Sequence, residues 1–156
     1  MNCASSESGN IPDESLECFN TWLMNGGIST FDEISSLNDK YRKQITDYIS
    51  SFIPYAEICA GNNKFILVHA GPGNFSENKA MSDYRPEELL FSEPDFDKKY
   101  FDDAYLVTAH CPTYKIEGAD IGKIFFKNNH IAINCGIACH EGTGCLRLDD
   151  LMEFYI

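Results

Sequence analysis

Tyr55-Ala-Glu-Ile-Cys-Ala-Gly-Asn-Asn-Lys-Phe-Ile-Leu-Val-His69 is where the chain changes character. Apolar residues here alternate instead of recurring every three or four positions, so Tyr55 to Ala60 and Lys64 to His69 read as two strands. Gly61-Asn62-Asn63 tolerates positive φ and joins them as a hairpin. Upstream the period is helical. Residues 1–12 read as a loop. Leu16, Phe19, Trp22 and Leu23 then recur on one face of a helix starting near Asp13, for which Asn25-Gly26-Gly27 is a stop signal. Thr30-Phe-Asp-Glu33 has the form of a capping box opening a second helix. Tyr41, Ile45, Tyr48, Ile49 and Phe52 mark a third from about Asp39, closed by Pro54.

Downstream, Ala70-Gly-Pro-Gly-Asn74 is a sharp loop and Pro86 to Phe91 one or two helical turns. Short strands follow at Ala104 to Ala109, Lys123 to Lys127, His130 to Asn134, Gly144 to Leu148 and Glu153 to Ile156. With residues 13–53 helical and 54–156 mainly sheet, the 156 residues predict one α/β domain of the α+β kind. The helices are expected to cover one side of a mostly antiparallel or mixed sheet.

Composition narrows the partners. Hydrophobic residues make up 44% and charged residues 23%, which is globular rather than disordered. No apolar run approaches the roughly 20 residues that span a bilayer, so a membrane is not an expected partner. Twelve Lys and Arg against 24 Asp and Glu give −12, a charge that repels nucleic-acid backbones and favours cations. The amino-terminal residues lack a secretory pattern. Together with seven cysteines, an odd number, this suggests reduced thiols in a cytoplasmic protein, most of them in the core.

Two histidines stand in equivalent places. His69 ends Phe65-Ile-Leu-Val-His69 before Ala-Gly, and His110 ends Tyr105-Leu-Val-Thr-Ala-His110 before Cys-Pro-Thr113. Strands that deliver an imidazole into a Gly or Pro turn place it on a rigid rim, either as a metal ligand or as a partly buried ring satisfied by hydrogen bonds.

Six segments carry a resemblance: Trp22-Leu-Met-Asn-Gly-Gly27, Lys64-Phe-Ile-Leu-Val-His-Ala-Gly71, Pro94-Asp-Phe-Asp-Lys98, Val107-Thr-Ala-His-Cys-Pro-Thr113, Ile131-Ala-Ile-Asn-Cys-Gly136 and Cys145-Leu-Arg-Leu-Asp-Asp150. In this order, from about Trp22 onward, the chain resembles the carboxyl-terminal part of a calcineurin-like metallophosphoesterase of the bacterial serine/threonine protein phosphatase type, with symmetrical dinucleoside tetraphosphatases as near relatives. The resemblance implies part of a four-layer sandwich and hydrolysis of phosphate esters, on a phosphoprotein or a nucleotide, by two divalent ions (manganese, iron or zinc). It also implies that His69 and His110 are ligands of the second ion.

The family's Gly-Asp-x-His-Gly, Gly-Asp-x-x-Asp-Arg-Gly and Gly-Asn-His-Glu motifs do not occur in this sequence. The first ion's ligands, the bridging Asp and the general-acid His go with them, leaving no catalytic residue to name. The chain is therefore expected to be an incomplete domain (a truncated product, a fragment or a misassigned start). It is also expected to be inactive alone and prone to self-association through an exposed sheet edge. In Phe91-Ser-Glu-Pro94, Glu93 replaces the Arg that grips substrate phosphate, reversing a contact of roughly 4 kcal/mol at about 4 Å. Arg85 is the candidate to reach in instead. The alternatives are a non-catalytic remnant or binding module, and a dinucleoside tetraphosphatase-like hydrolase.

Other constellations are poorer. Cys135, Cys139, His140 and Cys145 lack the spacing of a common zinc motif. His140-Glu141 has no second helical His. Cys111 beside His110 would point away from it on a strand. His130 reads as a surface residue. The pairs Asp95/Asp97 and Asp102/Asp103 read as solvated.

Overall fold

A computed structural model describes residues 13–156; the loop expected at residues 1–12 lies outside the described residues. The first three helices belong to a unit ending at Phe52, and Ile53–Ile156 form a second.

Helix α1 spans Asp13–Trp22, α2 Ile28–Ser36 and α3 Asp39–Ser50. Asn25-Gly26-Gly27 does not stop the first helix. Leu23–Gly27 widens into a π-helical turn that runs directly into α2. A Cβ on Gly27 would lie 2.6 Å from the Trp22 ring, so this glycine makes room for an indole rather than ending a helix. Thr30 consequently lies inside α2, and its Thr-x-x-Glu pattern caps nothing. The start of α3 is conventionally capped, with Asn38 Oδ1 accepting the Tyr41 N–H at 3.1 Å. No residue of α2 or α3 is buried.

The second unit is built on a five-stranded mixed sheet in the order β1-β2-β3-β5-β4. These strands are Tyr55–Ala60, Asn63–Val68, Ala104–Thr108, Phe125–Lys127 (β4) and His130–Ala132 (β5). The outer pairs β1–β2 and β4–β5 are antiparallel hairpins, while β2–β3 and β3–β5 are parallel. A third hairpin, β6 (Gly144–Arg147) with β7 (Met152–Tyr155), forms a separate two-stranded sheet.

The period of two sorts side chains onto two faces. Ile66, Val68 and Leu106 join Met81, Tyr84, Leu89 and Tyr100 from the long β2–β3 connection, which includes helix α4 (Pro86–Leu90). Phe65, Val107 and Ile131 pack on the opposite face with Ile124, Cys135 and the hairpin residues Leu146 and Tyr155. Full burial of residues such as Phe65, Leu106 and Ile131 is worth about 1.5–3 kcal/mol each. Among the described residues no helix is long and apolar enough to cross a membrane.

Two surface expectations fail. His130 is 1% exposed; its Nε2 lies 2.8 Å from Thr108 Oγ1 and its ring stacks on Phe96 at 4.6 Å. Most cysteines, conversely, are not core thiols. Of the six described, all reduced, only Cys135 is buried, because strand alternation turns Cys59 and Cys145 outward.

Candidate metal centre

Because β2, β3 and β5 run parallel, their carboxyl ends share one sheet edge, the side on which such sheets gather functional groups. His69 follows β2 directly, His110 follows β3 after one residue and Asn134 follows β5 after one residue. Backbone bonds tie these three ends together. The His69 carbonyl accepts the N–H groups of Ala109 and His110 at 2.9 and 2.8 Å. Asn134 Nδ2 donates to the His110 carbonyl at 3.4 Å, its Oδ1 accepts the Gly136 N–H at 3.1 Å, and its carbonyl accepts the Thr113 N–H at 2.8 Å.

The two imidazoles meet on this edge. Nε2 of His69 lies 3.0 Å from Nδ1 of His110, with ring centroids 5.0 Å apart at 70°. Both residues are exposed. Partial burial pulls the His69 pKa below that of free imidazole, and the neighbouring His110 pulls it further. His69 is thus neutral at pH 7, as a ligand must be.

The spacing also meets a geometric test. Two nitrogens bound at about 2.1 Å to one ion, with an angle between a right angle and the tetrahedral value, stand about 3.0–3.4 Å apart. The observed separation lies within that range, so the pair fits two arms of a divalent site. Without an ion the same distance is a hydrogen bond, one ring donating to the other. The fit stops at two donors. Among the described residues no three His, Cys, Asp or Glu side chains come together to hold a metal. The cysteine candidates also remain separate: Cys135 is buried, whereas Cys139 and Cys145 are exposed and Cys139 Sγ lies 3.4 Å from the Tyr114 hydroxyl.

Arg85 stands at the N-cap of α4 with its side chain three-quarters exposed. Its guanidinium Nε is 3.9 Å from Glu88, and among the described residues its polar contacts do not include either histidine. Glu93 lines a cleft of about 720 Å³ with Cys111, Lys115 and Glu117. Burial pushes the Cys111 thiol pKa up, and the Glu93 charge adds to the effect. The Glu93 carboxylate therefore stands close to the residue after His110. Asp97 and Asp102 are paired with Lys127 and Lys99 as exposed surface charges.

On the other flank, a groove of about 330 Å³ reaches His69 and is lined by Tyr55, Leu67, Val107, Ala109 and Ile133. It is apolar and open to solvent.

Asn134 lies inside the Ile131–Gly136 segment with nothing local to reveal its role, and Glu88 is nearly as unmarked in the sequence. The Asn134 signal was a polar residue in the third of three equivalent strand-to-loop junctions. Glu88, three residues into a short helix, had only the weak signal of a capping acid. Compared with known proteins, the chain matches no family model and no curated sequence.

Proposed function

We propose that this chain supplies the two-histidine arm of a metal-dependent phosphoesterase of the calcineurin-like, serine/threonine protein phosphatase type. The supporting observation is the 3.0 Å approach of His69 Nε2 and His110 Nδ1 on the shared carboxyl edge of parallel strands. Bound divalent ions, with manganese expected and iron or zinc as alternatives, would supply an activated water and charge neutralisation at phosphorus. The chain's own part is to hold the two imidazoles convergent, with the His69 pKa lowered by partial burial. Arg85 is its candidate phosphate contact, since its side chain is three-quarters exposed and only loosely paired, with Nε 3.9 Å from the Glu88 carboxylate.

Two donors make a weak site. A competent centre needs carboxylates from outside the described residues, so the chain alone should bind metal without appreciable turnover. The open apolar groove beside His69 favours a second reading within the same proposal, in which the fold works as a module completed by a partner that covers this face. The test is cobalt(II) titration of the full chain followed by visible absorption. One ion per chain is expected, with binding lost in His69→Ala and in His110→Ala. Absence of binding, or binding unaffected by both changes together, would overturn the proposal.

A further inference from the structure

The loop that carries the chain away from His69 is held by one short helix. The Ala70 N–H donates to the Leu89 carbonyl at 2.9 Å, and the Gly73 N–H to the Glu88 carbonyl at 2.9 Å. Asn74 Nδ2 donates to Glu88 Oε1 at 3.1 Å. Gly73 lets the loop pack closely here, since a Cβ would displace the Ser92 hydroxyl and crowd the Ser92 Cβ at 3.0 Å. The Glu88 carboxylate also receives the Lys79 ammonium at 3.1 Å and the Arg85 N–H at 2.9 Å, so it joins two loop positions, Asn74 and Lys79, to the start of α4. Glu88 is 9% exposed. Its hydrogen bonds, the Arg85 N–H foremost, hold its pKa down to about 2, and it is charged at any working pH.

Resting on the reading of the histidines as metal ligands, we infer that Glu88 is a positioning residue whose carboxylate fixes the loop after β2 and so holds the His69 ring at the separation a metal ion needs. This role is separable from the core. Leu89, beside it, is fully buried and docks α4 by apolar contact whether or not the carboxylate is present. The loop from Ala70 to Lys79 buries Ala70, Gly71 and Pro72 and rests Phe75 on the core and the Tyr100 ring, whereas Asn74 and Lys79 are tied down through the Glu88 carboxylate. Removing the carboxylate should loosen the loop and leave the sheet intact.

The experiment uses the full chain and two readouts. In metal-free protein, the NOE between the ring protons of His69 and His110 reports their contact. Cobalt(II) titration reports affinity. Glu88→Ala is expected to lose the NOE and weaken cobalt binding by about tenfold or more, with near-UV circular dichroism unchanged. Glu88→Gln keeps one oxygen to accept the Arg85 N–H, and its new amide can donate to the Asn74 oxygen once that side chain turns over, so it should retain the NOE and most of the affinity. Asn74→Asp leaves Glu88 in place but sets a second carboxylate against it. It should reproduce the Glu88→Ala loss, and it decides the matter if Glu88→Ala does not fold. An unchanged NOE and unchanged affinity in both Glu88→Ala and Asn74→Asp would overturn the positioning role while leaving the metal reading standing. If the parent chain binds no cobalt but the NOE responds as expected, positioning stands and the metal reading falls.

Discussion

Acid should destabilise this protein through His130, in a pH window set by that residue's burial. The imidazole is sealed between Thr108 and Phe96, and Nδ1 has no hydrogen-bond partner among the described residues. Burial pushes the His130 pKa down from 6.5 to about 4. An unfolded chain takes up this proton near pH 6.5, whereas the folded chain resists it until about pH 4. Below pH 6.5 the unfolded state therefore binds more protons, and stability falls as pH falls toward 4. From these values the loss between pH 7.5 and 4.5 is about 2.5 kcal/mol, approaching roughly 3 kcal/mol at lower pH. The assay is urea denaturation at a series of pH values in a His69→Ala background, because His69 is shifted in the same direction. Thr108→Val/His130→Phe removes both partners of the buried hydrogen bond, so no orphaned hydroxyl remains. The His69→Ala parent should lose about 2.5 kcal/mol between pH 7.5 and 4.5, and the triple variant should lose little. The low Glu88 pKa does not interfere, since its contribution is lost only as pH falls from about 4.5 toward 2. Equal losses in both proteins would refute the reasoning.

Three further outcomes are expected. Leu106→Ala removes a fully buried side chain from the central strand and should cost about 2–5 kcal/mol in chemical denaturation; a loss below about 1 kcal/mol would mean the core is not as tightly packed as described. The chain alone, given manganese and p-nitrophenyl phosphate, should show no turnover above background, and robust turnover abolished by His69→Ala would show that its site is complete. Strand β4 is a sheet edge carrying the exposed Phe126, so sedimentation should detect self-association that Phe126→Lys reduces; a parent chain that stays monomeric at all concentrations would contradict this.

What could be read from the sequence follows from how local each signal was. The β1–β2 hairpin rests on alternation and a Gly-Asn turn, and the structure pairs Ala60 with Asn63 across it. The capped start of α3 is equally local. The parallel pairing of β2 with β3 is not, because the partners are separated by a long connection and nothing in either strand specifies its neighbour's direction. That pairing is what brings His69 and His110 to one edge. Both imidazoles were visible as strand endings, but their 3.0 Å contact depends on a register that only tertiary structure sets. Gly27 misled because a glycine that admits a tryptophan ring looks like one that ends a helix. His130 misled because it follows Asn128-Asn129, a turn that suggests surface, while Phe96 covers it from a distant loop. Asn134 and Glu88 act through backbone groups of other segments, an arrangement that leaves almost no trace in composition or spacing.

The most direct measurement is anomalous diffraction at the manganese edge from crystals of the full chain grown with manganese(II). A single strong peak about 2.1–2.3 Å from both His69 Nε2 and His110 Nδ1 is the predicted result. Anomalous density confined to surface carboxylates, with the two rings still hydrogen-bonded to each other, would contradict the claim that these histidines hold a metal.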